Sequence, residues 1–266
     1  MDRFLAGCGV TAHLAETPQN RFAEAAEPRS APAFAQLKHE DGLAAPAVIT
    51  PSSGNGVGDE APALMEAREA ARTAPNLEAL YAAIHAFDGC PLKSTATQAC
   101  PGEGPLGAPV MFVGEAPGRD EDAAGRPFVG RSGKLLDKMI AAIGLTREAV
   151  YVTNVIPWRP PGNRTPSPIE TATCEVFVRR EIALVAPKVL VPLGGPAAKT
   201  LLRTDAGIMR QRGRWSRYED DAAEAGAIDA LAMFHPAYLL RTPAAKKQTW
   251  QDLLAVAGKV GSLPAN

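Results

Sequence analysis

Four short apolar runs in this 266-residue chain are each followed by residues able to do chemistry. After Pro109–Val113 comes Gly114-Glu115-Ala116-Pro117-Gly118. The run Val150–Val155 contains Thr153-Asn154 and leads into Trp158-Arg159-Pro160-Pro161-Gly162-Asn163-Arg164. Behind Lys188–Leu193 stands Gly194-Gly195-Pro196, and behind Ala230–Phe234 stands His235-Pro236-Ala237-Tyr238-Leu239-Leu240-Arg241. One carboxylate, one amide, a glycine-rich helix start and one imidazole are the components of a site. Singly, each has a structural alternative. Glu115 fits a helix N-terminal charge, Asn154 a satisfied strand-end amide, and Gly194-Gly195 a tight turn whose free N–H groups suit a phosphate. His235 is the only histidine after residue 85, and a lone histidine is often structural.

The elements that must position these residues follow from the pattern. Helical stretches at 132–143, 167–185, 195–203 and 244–258 alternate with the apolar runs. That alternation predicts right-handed crossovers and a parallel sheet covered on both faces. Ligands gather beyond the carboxyl ends of such strands, where the four groups fall. Two more helices are expected at Pro62–Arg72 and Asn76–Phe87, the second with Leu77, Leu80, Tyr81 and Ile84 on one face. Residues 1–60 are rich in Ala, Pro, Glu, Ser and Gly without sustained periodicity, and read as a disordered tail. The expected organisation is therefore a tail over 1–60, helices over 61–85 and a main domain over 86–266.

The formal net charge of −1 hides an asymmetry. Residues 1–85 carry 6 Lys+Arg against 11 Asp+Glu, and residues 86–266 carry 22 against 18. The mildly basic larger part permits nucleic-acid binding without demonstrating it. No apolar run approaches the roughly 20 residues of a membrane span, and the N-terminus lacks a signal-peptide core, so a cytoplasmic protein is expected. The four cysteines, Cys8, Cys90, Cys100 and Cys174, are irregularly spaced and suggest no disulfide framework.

Four ordered blocks resemble the family 4 uracil-DNA glycosylases: GEAPGRDEDAAGRPFVGRSGKLLDKMI, YVTNVIPWRPPGNRTPSP, VLVPLGGPAAKTLL and FHPAYLLR. The resemblance covers roughly residues 86–258. It implies a three-layer α/β/α sandwich with a four-stranded parallel sheet, acting on uracil-containing DNA as a monofunctional hydrolase. It also implies roles. Glu115 would hold or polarise the hydrolytic water, Phe128 would stack on uracil, Asn154 would read its polar edge, and Gly114 and Ala116 would also bind uracil. His235 would donate a hydrogen bond to uracil O2. Pro117, Gly118, Arg131, Ser132, Arg159, Arg164, Gly195 and Arg241 would meet DNA, with Tyr238, Leu239 or Leu240 as a wedge in the stack.

The chain departs from the family at the iron–sulfur cluster, which uses four cysteines. Only Cys90 and Cys174 match. Lys93 stands where the second thiolate belongs and Trp158 where the third does. Two thiolates cannot complete the usual ligation, so no metal or cofactor is expected, with Trp158 packing in place of the cluster. A relative that captures uracil-DNA covalently has Gln at the position of Glu115 and a histidine after the second strand. This chain has neither, which favours ordinary turnover. Competing expectations are a non-catalytic binder of uracil-containing or abasic DNA and a redox iron–sulfur protein. A monomer is the family-like expectation.

Overall fold

The computed structural model describes residues 62–220 and 226–261; the expected tail over 1–60 lies outside them. Five strands form one sheet: β1 (Val110–Gly114), β2 (Tyr151–Asn154), β3 (Val189–Pro192), β4 (Trp215–Tyr218) and β5 (Ile228–Leu231). Their order across the sheet is β2-β1-β3-β5-β4. The first four in that order run parallel, with Gly114 in register with Asn154 and Val113 with Pro192. Strand β4 pairs antiparallel with β5, Trp215 opposite Leu231. The expected four-stranded parallel sheet thus gains a fifth, antiparallel edge strand. The last parallel strand also starts two residues earlier than the apolar run at 230–234.

Helices cover both faces, giving three layers. The reason is the period-2 alternation of side chains along buried strands. Met111, Val113, Tyr151, Leu190 and Ala230 face one way, onto α1 (Pro62–Thr73), α2 (Leu77–Ala86), α5 (Pro168–Val185) and α6 (Gly195–Leu202). Val110, Phe112, Val152, Val191 and Leu231 face the other way, onto α4 (Arg131–Ala142), α8 (Pro236–Arg241) and α9 (Lys246–Val260). Short helices α3 (Arg119–Ala124) and α7 (Ile208–Gln211) stand beside the strand ends. The helices set apart at 61–85 in the sequence share the first of these cores with the rest of the domain.

Local signals explain where α5 begins. Ser167 caps it by accepting from Glu170 N, Pro168 occupies the first turn, and the Glu170 carboxylate accepts the Ser167 N–H. Midway along α5, Glu181 is buried beneath β2. It accepts hydrogen bonds from Tyr151 Oη (2.7 Å), Thr153 Oγ1 (2.8 Å) and the Gly102 amide (3.0 Å). Tyr81 on α2 reaches the same carboxylate and the Tyr151 hydroxyl. Burial pushes the Glu181 pKa up, opposed by these donors. The network fixes the face of β2 opposite the one that presents Asn154.

Candidate active site

The carboxyl ends of β1, β2, β3 and β5 open into one cleft of about 770 Å³. Glu115, Asn154, Phe128 and His235 all line it, with Ala116, Pro117, Gly118, Ser132, Arg164, Gly195, Tyr238 and Arg241. Sequence reasoning had placed all of these except Phe128 at a strand end or helix start; Phe128 was indicated by the family resemblance alone.

Two loops emerge side by side from β1 and β2. Val155 N donates to Gly114 O (2.9 Å) and Ile156 N to Glu115 O (3.0 Å), which extends the pairing past the strands. Asn154 is buried, and its side-chain oxygen lies against Gly114 so closely that a Cβ there would collide with it and with the Phe128 ring. Gly114 therefore does not line the cleft; its missing side chain makes room for two groups that do. Glu115 is half-buried, and desolvation raises its pKa.

Phe128 is buried at φ +55°, in the left-handed region that non-glycine residues rarely adopt. Three contacts hold it there. Gly133 of α4 packs against its carbonyl with no space for a Cβ. Arg147 donates to the preceding Pro127 carbonyl (2.8 Å) while paired with Glu103 and Asp137. Glu121 of α3 is buried and accepts from Gly118 N (3.1 Å) with one oxygen and Gly130 N (2.8 Å) with the other. One carboxylate thus clasps the loop carrying Glu115 to the loop carrying Phe128.

His235 caps α8. Its Nδ1 accepts the Ala237 N–H at 3.1 Å, which leaves the proton on Nε2 as a donor. Burial and the neighbouring Arg241 cation push its pKa down to about 4, so the ring is neutral at physiological pH. Gly194, at φ +91°, lets the turn after β3 approach His235 Cβ.

The expected DNA contacts divide. Leu239 is buried in the core and is not available as a wedge; the single turn of α8 points it inward while Leu240, 37% exposed, points out. Tyr238 lines the cleft, its ring 4.9 Å from Phe234. Arg131 is exposed at the start of α4. Arg159 donates to Asn163 (2.8 Å) and lies 3.8 Å from Asp122, and Arg164 grips Glu170 through two hydrogen bonds, of 2.8 and 2.6 Å. Sequence reasoning missed Glu121, Asn163, Ile208 and Met209, which also line the cleft. Glu121 sits in a charge run, Arg119-Asp120-Glu121-Asp122, that reads as a solvated helix face. Met209, 65% exposed on α7, had no neighbouring signal.

The residues at the cluster positions do not fit four-thiolate ligation. Lys93 places a cation there, bonded to the His85 carbonyl (2.6 Å) and Asp88 (2.7 Å). Trp158 is buried with its ring 6.4 Å from Phe87. Cys174 and Cys90 meet each other, sulfur to sulfur at 3.6 Å. Cys100 donates to the Glu121 carbonyl (3.2 Å), and burial pushes its thiol up to about 12. Among the described residues, no group of three or more His, Cys, Asp or Glu could hold a metal ion, and no helix is long and apolar enough to cross a membrane.

A family model described as the uracil DNA glycosylase superfamily matches residues 101–254. The type-4 uracil-DNA glycosylase of Archaeoglobus fulgidus is 39% identical over 184 residues, 65% of this chain and 86% of that protein. Its counterpart in Pyrobaculum aerophilum is 36% identical over 69% of this chain and 94% of its own length. That of Thermotoga maritima is 41% identical over 57% and 77%. With a family match over more than half of its length and relatives at this level of identity, the chain belongs to the uracil-DNA glycosylase superfamily, in its type-4 branch.

Proposed function

We infer that this chain removes uracil from DNA by hydrolysing its N-glycosidic bond, leaving an abasic site. The observation that carries this reading is the convergence of Glu115, Phe128, Asn154 and His235 on one cleft.

Each residue has a task set by the bond that breaks. The uridine nucleotide leaves the stack and enters the cleft. Phe128 offers a ring face for the pyrimidine, and Asn154 offers a donor and an acceptor to its polar edge. As the C1′–N1 bond lengthens, the electron pair moves onto uracil N1 and O2. The neutral His235 donates from Nε2 to that developing oxyanion, a contribution typically worth about 3–4 kcal/mol. Glu115 faces the cationic sugar, orients water toward C1′ and accepts its proton as the new C–O bond forms. Uracil departs as the anion and takes a proton from solvent. Gly118, Ser132, Gly195 and Arg241 suit phosphate contacts at the rim, with Pro117 beside them. Arg131 suits one outside the cleft, and Arg159 and Arg164 suit contacts made after rearrangement of their ion pairs. Tyr238 and Leu240 remain the wedge candidates.

The replaced cluster positions support a protein without an iron–sulfur cluster. A monomer acting on its DNA substrate in the cytoplasm belongs to this reading on the family resemblance alone. The test is incubation with a uracil-containing oligonucleotide, followed by alkali. Strand scission at uracil in U:G, U:A or single-stranded substrates is expected. Tight binding without scission would overturn hydrolysis in favour of a binding protein.

A further inference from the structure

We propose that Cys90 and Cys174 form a reversible redox pair that closes to a disulfide under oxidising conditions. Neither residue takes part in the glycosylase cleft. Both are buried, on different elements: Cys90 caps the short 3-10 turn Pro91–Ser94, and Cys174 lies in the second turn of α5. Their sulfurs are 3.6 Å apart and share a hydrogen bond. A disulfide needs about 2.05 Å, so closure moves the two sulfurs together by less than a bond length or so each.

The surroundings favour pairing over other fates. The positions that would complete a cluster hold the Lys93 ammonium and the Trp158 indole, neither of which is a thiolate. Each thiol has the other as its sulfur partner, whereas Cys100 is bound to a backbone carbonyl. The 3-10 turn lies in a long stretch, between α2 and β1, without other helix or strand. Local opening of such a segment, rather than global unfolding, would admit a small oxidant.

The step balances with a peroxide as oxidant. The Cys90 thiolate attacks one peroxide oxygen and the O–O bond breaks, giving a sulfenic acid and hydroxide. Cys174 sulfur then attacks that sulfenic sulfur, the S–O bond breaks, and the oxygen leaves as water. Two thiols lose two electrons and two protons in total, and one peroxide becomes two waters. Dithiothreitol reverses the bond by exchange. Because the two residues are 84 positions apart, the link removes much chain freedom from the unfolded state. It would join the Pro91–Ser94 turn covalently to α5.

The experiment uses the full chain, treated with hydrogen peroxide, alkylated and digested without reduction. A Cys90–Cys174 peptide, two hydrogen atoms lighter than the free pair, is expected, and dithiothreitol should abolish it. The oxidised protein should melt about 5 °C or more above the reduced one. Cys90→Ser should lose the peroxide-induced shift and Cys100→Ser should keep it. Recovery of Cys90 and Cys174 as separately alkylated or over-oxidised residues, or as links to Cys8 or Cys100 only, would overturn the pairing. The readout is independent of glycosylase activity.

Discussion

The Phe128 ring and the His235 imidazole lie 5.6 Å apart, centroid to centroid, with their planes tilted by 33°. A base sandwiched between two rings would need about twice the roughly 3.5 Å contact distance between carbon atoms. The flipped uracil therefore cannot sit between them. In the proposed function it would lie against Phe128 with His235 at its edge, where a donor to O2 belongs. His235→Ala should lower kcat by roughly 10²–10³-fold while changing KM little. Equal losses in both would point to a binding role instead.

The state of that imidazole sets a pH dependence. Its pKa is about 4 in the folded chain against an ordinary 6.5, owing to burial and Arg241. Between those values the unfolded chain holds the proton more readily than the folded one. The His235 contribution to stability is thus fully present above pH 6.5 and is lost as pH falls toward 4. Thermal melts across that window should show a slope that His235→Gln reduces. A slope unchanged by the substitution would assign the proton uptake elsewhere.

Asn154 and Gly114 make a second linked pair. Asn154→Asp removes the amide donor and buries a charge, and should cut uracil excision by at least about 100-fold. Gly114→Ala keeps every functional group but drives a Cβ into Asn154 and Phe128. A displacement near 1 Å is sufficient for a comparable loss. Circular dichroism on the same samples separates misplacement from unfolding. Full activity in Gly114→Ala would mean that Asn154 does not touch the base.

How much of this was legible beforehand depended on the kind of signal. The parallel strands and their chemical ends could be read because β1, β2, β3 and β5 are dense apolar runs followed by turns. Strand β4 was not, since Trp-Ser-Arg-Tyr at a sheet edge is mostly exposed and is held by hydrogen bonds to β5 rather than by a hydrophobic pattern. Leu239 and Leu240 are chemically alike, and only the turn of α8 decides which one faces solvent. The arginines after β2 are equally opaque. Arg164 binds Glu170, and that ion pair depends on the fold of the intervening loop.

Glu121 was hidden among charges, yet it accepts the amides of Gly118 and Gly130 together. Glu121→Ala leaves the buried Gly130 N–H without a partner, at a cost of about 1–3 kcal/mol. It also unties the Glu115 loop from the Phe128 loop, so kcat should fall beyond what the stability loss explains. Glu121→Gln retains one acceptor and should recover part of both losses. A variant that is destabilised but has normal kcat below its melting range would make the clasp purely structural.

Glu115 offers the opposite trade. Burial raises its pKa above the ordinary 4.5, so the folded chain holds this proton more tightly than the unfolded one. The sign follows: the carboxylate weakens stability as pH rises through its folded pKa, and at pH 7 the charged form is carried at a loss. Catalysis needs that charged form, so the acid limb of the kcat profile should lie above the range of a solvent-exposed glutamate. Glu115→Gln should abolish the limb and most of the turnover while leaving the melting temperature at pH 7 equal or higher. A melting temperature that falls instead would mean the carboxylate is held by favourable partners, and its place as a strained catalytic group would have to be given up.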